Sequence, residues 1–126
     1  MKLIGVDFGS KRVGIAVADT QTQMAFPKEV LQRNADFFEV FKKICISEEA
    51  QIVVLGESKN FNMEDNHIMK EILKFKKDIE DILHLQVILH PEFMTSLQAT
   101  HTQGENKMLD ASAATIILQS YLDKIK

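Results

Sequence analysis

The hydrophobic positions of this chain follow two periodicities, and their alternation predicts the order of its elements. Leu3-Ile4-Gly5-Val6 is apolar at consecutive positions, the mark of a strand covered on both faces rather than a half-solvated edge. Residues 2–7 therefore read as a first strand, Gly9-Ser10-Lys11-Arg12 as a hairpin turn, and residues 13–18 as a second strand. Residues 19–23 are polar and turn-like. Residues 24–31 read as a third strand, kept at an edge by Pro27, which has no N–H to donate to a neighbour. Asn34 reads as a helix N-cap with Asp36 in the first turn, followed by one apolar face made of Phe37, Phe38, Phe41, Ile44 and Cys45.

Residues 51–56 form a short apolar run bounded by polar residues, the pattern of a buried parallel strand, with 57–60 as the loop at its carboxyl end. Ile68, Ile72, Phe75, Ile79 and Ile82 then step by four, three, four and three, which predicts a long amphipathic helix. Lys70, Lys74, Lys76 and Lys77 alternate with acids on its outer side, so they read as a solvated face and not a binding patch. Residues 86–89 make a fifth strand, closed by His90-Pro91. A short helix over 94–102, a loop over 101–107 and a last helix over 109–124 complete the pattern. The order β-β-β-α-β-α-β-α predicts an α/β fold: a five-stranded mixed sheet, its first three strands antiparallel, with helices on both faces.

Composition narrows the class. A chain of 126 residues with 45% hydrophobic and 26% charged residues is expected to form one domain, 1–126, with a genuine core. No apolar run approaches the roughly 20 residues that cross a bilayer, and Asp7 interrupts the opening apolar run before it resembles a secretory leader. The single cysteine, Cys45, excludes an internal disulfide framework and fits a cytoplasmic protein. It falls on the apolar side of a predicted helix, so it reads as core. The net charge of −3 does not favour binding nucleic acid by charge alone; such a partner requires a local basic face or divalent cations.

Candidate chemistry begins with Asp7. A strand buried on both faces has no ordinary reason to carry a carboxylate near its end, because ionised carboxylates are rarely buried without a partner. Asp7 is either paired with the nearby Lys11 and Arg12 or binds a metal at the mouth of the sheet. Ligand sites of open α/β sheets lie beyond the carboxyl ends of the parallel strands. Two further acids fall at such ends, Glu57 after the fourth strand and Glu92 after the fifth. Asp110 opens the last helix and shares a face with Ala113, Ala114, Ile117 and Tyr121, either as a plain N-cap or as a member of the cluster. Gathered carboxylates suit Mg²⁺ or Mn²⁺ rather than zinc, and paired ions of this kind activate water for phosphodiester displacement. His67, His84, His90 and His101 lack zinc-site spacing and read mostly as surface residues, and Ser10 and Ser58 have no evident base.

These residues resemble the YqgF/RuvX-type nucleases of the RNase H-like superfamily, over nearly the whole chain. The segment from Gly5 to Ala16 is similar to the family's opening motif, and Val53-Val54-Leu55-Gly56 to its fourth strand. Glu92-Phe93-Met94-Thr95-Ser96 resembles the motif that usually reads Asp-Glu-Arg, a hydrophobic residue and two threonines. The stretch from Leu109 to Leu122 resembles the closing helix. The resemblance implies an RNase H-like fold, Asp7, Glu92 and Asp110 as catalytic, metal-binding carboxylates, and Glu57 as a possible additional acid. Lys11 and Arg12 are the candidate nucleic-acid contacts, or else a basic hairpin tip that pairs with Asp7 or Glu92. The implied activity is a Mg²⁺- or Mn²⁺-dependent endonuclease acting on structured RNA precursors such as pre-16S rRNA, or on four-way DNA junctions, as a monomer or homodimer.

The sequence also departs from the family pattern. Pro91 and Phe93 stand where an Asp and an Arg are usual, and Glu57-Ser58 where Leu-Pro is usual. A catalytically weak nucleic-acid-binding scaffold is therefore the alternative. Asp7-Phe8-Gly9 also occurs in protein kinases, but their other motifs are missing. The Asp7-x-Gly9-Ser10 pattern resembles the phosphate loop of actin-like ATPases, which close two such domains around the nucleotide. There is no Walker A sequence.

Overall fold

The computed structural model describes residues 1–9, 11–57, 66–91 and 109–125. Five strands, β1 (Lys2–Phe8), β2 (Arg12–Asp19), β3 (Met24–Gln32), β4 (Ala50–Glu57) and β5 (Gln86–Pro91), form one sheet in the order β3-β2-β1-β4-β5. β1 pairs antiparallel with β2 and β2 with β3, whereas β1–β4 and β4–β5 are parallel. The mixed sheet with an antiparallel start is as the sequence predicts. The expected helix over 94–102 and the loops over 58–60 and 101–107 lie outside the described residues.

Central β1 is buried from Leu3 to Val6, as its unbroken apolar run requires. Its side chains alternate between two separate cores. Ile4, Val6 and Phe8 join Val13, Ile15, Val53 and Leu55 against α1 (Phe37–Ser47) and α2 (Asn66–Asp78). Leu3, with Ala16, Ala18 and Val54, packs on the opposite face against Ala114, Ile117, Leu118 and Leu122 of α3 (Leu109–Ile125). Helices thus cover both faces.

The first face is filled by large rings: Phe8, Phe37, Phe38, Phe41 and Phe75 stack or meet edge-on, with Phe41 and Phe75 centroids 4.9 Å apart. Such pairs contribute about 0.5–1.5 kcal/mol each beyond their area burial. The second face mixes Leu and Ile with small residues, Ala16, Ala18 and Ala114, and α3 lies close to the sheet at Gly5. A Cβ placed on Gly5 would stand 2.7 Å from Leu118 Cβ and 3.0 Å from the Ala114 carbonyl oxygen. Gln119 ties α3 to the edge: its Oε1 accepts from Ala25 N at 2.9 Å and its Nε2 donates to Gln23 O at 3.0 Å. β3 is an edge strand, as Pro27 predicts, and the β2–β3 register shifts between Ile15 and Ala16, next to the Ala16–Pro27 pair.

Three local expectations are corrected. Asn34 does not cap α1. Its Oδ1 accepts from Asp36 N at 3.0 Å and its carbonyl from Phe37 N at 3.1 Å, a turn that leads into the helix, while Asp36 occupies the N-cap position. Ile82 does not join the apolar face. The helix continues beyond Asp78 as a π turn over Ile79–Leu83, whose wider winding carries Ile82 outward to 54% exposure and turns Leu83 onto the core that Ile79 fills. Glu57 is the last residue of β4 rather than the first of a loop. Lys76 and Lys74 do pair along the outer face, with Glu80 at 2.9 Å and Asp78 at 4.0 Å. Cys45 is buried in the first core, and desolvation pushes its thiol up to about 12. No helix among the described residues is long and apolar enough to cross a membrane.

Gly5→Ala is expected to lower unfolding free energy by about 1–3 kcal/mol, because the new methyl meets a Cβ and a backbone oxygen that cannot swing aside. Urea denaturation measures this; an unchanged midpoint would show that α3 is free to move off the sheet.

Candidate active site

β1, β4 and β5 run parallel, so their carboxyl ends leave the sheet on one side. Asp7 sits there as the penultimate residue of β1, half-buried and opposite Gly14 of β2. Because Val6 and Phe8 enter the aromatic core, alternation turns Asp7 to the α3 face that Leu3 and Gly5 share. β4 is in register with β5 through Glu57–Pro91, the last residue of each strand. The backbone thus places Glu57 at the same sheet end as Asp7. Glu92, next after Pro91 in sequence, lies outside the described residues. Asp110 is the second residue of α3, one turn before Ala114, the residue whose carbonyl closes over Gly5. The side chains of Glu57 and Asp110 are outside the described set. Among the described residues no group of three or more His, Cys, Asp or Glu is placed to hold a metal.

The turn after Asp7 is fixed by its backbone. Gly9 N donates to Arg12 O at 3.0 Å, and a Cβ on Gly9 would come within 2.6 Å of that oxygen. Only glycine fits. Lys11 and Arg12 are exposed at this same end of the sheet, four and five residues beyond Asp7, with Ser10 outside the described residues.

Two residues at this end escape the sequence reading. Arg33, just past β3, donates from Nη1 to Gly9 O at 3.2 Å and spans Glu71 of α2 with both guanidinium nitrogens, at 3.2 and 3.3 Å. Its guanidinium lies 4.5 Å from the Phe8 ring centroid. Hairpin arithmetic from the Asp19–Met24 pair sets Arg12 opposite Leu31; the register shift between Ile15 and Ala16 moves it to Gln32 and so brings residue 33 beside the turn. His90, one of four histidines that read mostly as surface residues, is buried at 8% exposure. Its Nε2 is 3.0 Å from Ser120 Oγ, and its ring meets Tyr121 edge-on. The alternation that buries Val87 does not mark it, because its cover comes from α3, far away in sequence. Burial, with the Lys124 charge as a second cause, holds its imidazole below the usual histidine range. His84 is exposed, as expected.

The five-stranded sheet, with a last helix packed tightly on its central strand, is shared with solved resolvase structures. The Thermus thermophilus RuvC chain in complex with a Holliday junction substrate superposes with a TM-score of 0.64 at 13% identity, covering 99% of this chain and 96% of that one. The fowlpox virus Holliday junction resolvase does so with a TM-score of 0.63 at 14% identity, each chain covered completely. At the sequence level, the family described as "RuvX: Holliday junction resolvase" matches residues 1–124. A protein of Clostridium kluyveri is 30% identical, covering 99% of this chain and 98% of its own length. One of Caldanaerobacter subterraneus subsp. tengcongensis is 31% identical, covering 100% and 99%. Both carry the name "Putative pre-16S rRNA nuclease". The chain belongs to the RuvX family.

The lowered pKa of His90 has a definite sign. The neutral imidazole is favoured in the folded state, so its contribution to stability is complete above about pH 6.5 and is lost as pH falls through the lower folded value. Between about pH 7.5 and about pH 5, the melting temperature of the wild type should therefore fall more than that of His90→Gln. Parallel profiles would refute the assignment.

Proposed function

We propose that this protein is a nuclease that hydrolyses phosphodiester bonds in structured nucleic acid, with precursor 16S rRNA as its first substrate. The observation that carries this reading is the convergence of the β1, β4 and β5 ends, with Asp7 turned to the α3 face, in a chain of the RuvX family. The name borne by its relatives supports the RNA substrate. The acids available are all carboxylates, a donor set suited to Mg²⁺ or Mn²⁺. Asp7, Glu92 and Asp110 would hold the ion or ions, with Glu57 in support. When bound, such cations lower the pKa of water and neutralise charge on the phosphoryl oxygens.

The protein's own contribution is positioning. Asp7 is delivered by a buried strand that is paired with β4 as far as Val6 and with β2 through Asp7–Gly14. Lys11 and Arg12, on a glycine-closed turn beside it, bind the substrate phosphates and give a chain of net charge −3 a local basic face. A single domain working in the cytoplasm suffices for trimming an rRNA precursor, whereas a junction resolvase cutting two symmetric strands would act as a homodimer. The second reading, a catalytically weak scaffold, is favoured by the net charge of −3 and by Phe93 at the usual arginine position.

Cleavage of labelled precursor 16S RNA and of a synthetic four-way junction, with Mg²⁺, Mn²⁺ or EDTA, tests the proposal. Cutting should require metal and fall at least about 100-fold in Asp7→Asn, beyond the 10–100-fold typical of losing an outer-shell partner. Binding without cutting would establish the scaffold reading, and cutting that survives Asp7→Asn would remove Asp7 from the site. Lys11→Ala should weaken binding across sequences and reduce the log–log salt slope by about one.

A further inference from the structure

Arg33 grips the turn beside Asp7 in two ways. Its backbone N donates to Lys11 O at 3.0 Å, and its side chain donates to Gly9 O at 3.2 Å. It thus holds carbonyls on both sides of Ser10. The guanidinium is itself held on two further sides, by the Phe8 ring at 4.5 Å and by the paired oxygens of Glu71. Its side chain is only 23% exposed, against 45% for Glu71. The fork geometry matters: a planar guanidinium serves a carbonyl, a carboxylate and an aromatic face at once, which a lysine ammonium does not. An isolated Arg–Glu pair at this exposure would contribute little to stability. This one connects α2, the end of β3 and the β1–β2 turn at a single point; it grips Phe8 and Gly9, the two residues that follow Asp7, from the sheet face opposite to the Asp7 side chain.

We propose that Arg33 is a positioning residue: anchored by Glu71, it sets the β1–β2 turn and thereby the placement of Asp7 for the nuclease reaction. The inference rests on the nuclease reading above for its functional half. Its structural half concerns the turn alone.

The experiment pairs amide hydrogen exchange with single-substrate kinetics for wild type, Arg33→Lys and Glu71→Gln, using whichever of the RNA precursor or four-way junction the wild type cuts. In Arg33→Lys the Gly9 amide, bonded to Arg12 O, should exchange about tenfold faster, while Val53 and Leu55 in β4 stay within twofold of wild type. In the same variant kcat should fall about tenfold with KM shifted less than threefold, although the positive charge is kept. Glu71→Gln should be intermediate in both measures. Unchanged Gly9 protection overturns the proposal, and so does exchange that accelerates equally in β4, which would report general destabilisation. Faster Gly9 exchange with unaltered kcat overturns the link to Asp7. If the wild type cuts neither substrate, the nuclease reading fails, and accelerated Gly9 exchange in Arg33→Lys then supports Arg33 as the anchor of the turn by itself.

Discussion

β1 is hydrogen-bonded along both edges and covered on both faces, and its two faces meet very different neighbours. The aromatic cluster on one side demands bulk at Ile4, Val6 and Phe8, whereas α3 on the other demands its absence at Gly5. The asymmetry fixes the phase of the strand. A one-residue slip would drive Val6 into Ala114 and Leu118 and leave Gly5 facing the aromatic core without a side chain to fill it, so register is specified by volume as well as by hydrogen bonding. Asp7 inherits that phase: its turn to the α3 face follows from the packing at Gly5 and Phe8.

The sheet was legible because its signal is local. Consecutive apolar residues at 3–6 and 52–56, alternation broken by Pro27, and polar stretches between them suffice to give five strands and their directions. What escaped were features decided by distant partners or by small changes of helical phase. A step of three to Ile82 looks as good as a step of four to Leu83 until a π turn chooses between them. Asn34 carries the right side chain for a cap, yet it lies two residues before the N-cap position and its oxygen accepts from Asp36 N. His90 looks like a strand-ending polar residue until Ser120 and Tyr121, thirty and thirty-one positions on, cover it.

The candidate site divides along the same line. Strand ends can be read from periodicity, so Asp7 and Glu57 could be assigned to one sheet end before any coordinates, and the parallel register places them there. Glu92 falls outside the described residues, and Asp110 is placed only as the second residue of α3. Nothing marks a lone arginine beyond a strand until the β2–β3 register carries it to the turn, and long-range pairing is the part of a fold that local pattern encodes least.

Catalysis by positioned carboxylates tolerates little error, since a displacement of about 1 Å can cost about 100-fold in rate. A strand end is a demanding place to meet that tolerance, because the ladder stops where precision is needed. The β1–β4 pairing runs only to Val6–Leu55, one residue short of Asp7, and beyond Phe8 the chain must turn within four residues. Three constraints take over from the missing ladder. The antiparallel bond to β2 continues through Asp7–Gly14 and Phe8–Val13, Gly9 closes the turn on Arg12, and Arg33 holds Gly9 and Lys11 from outside. A glycine at position 9 and a rigid cationic fork at position 33 are therefore complementary. The glycine lets the chain turn so tightly, and the arginine replaces the rigidity that the glycine gives up.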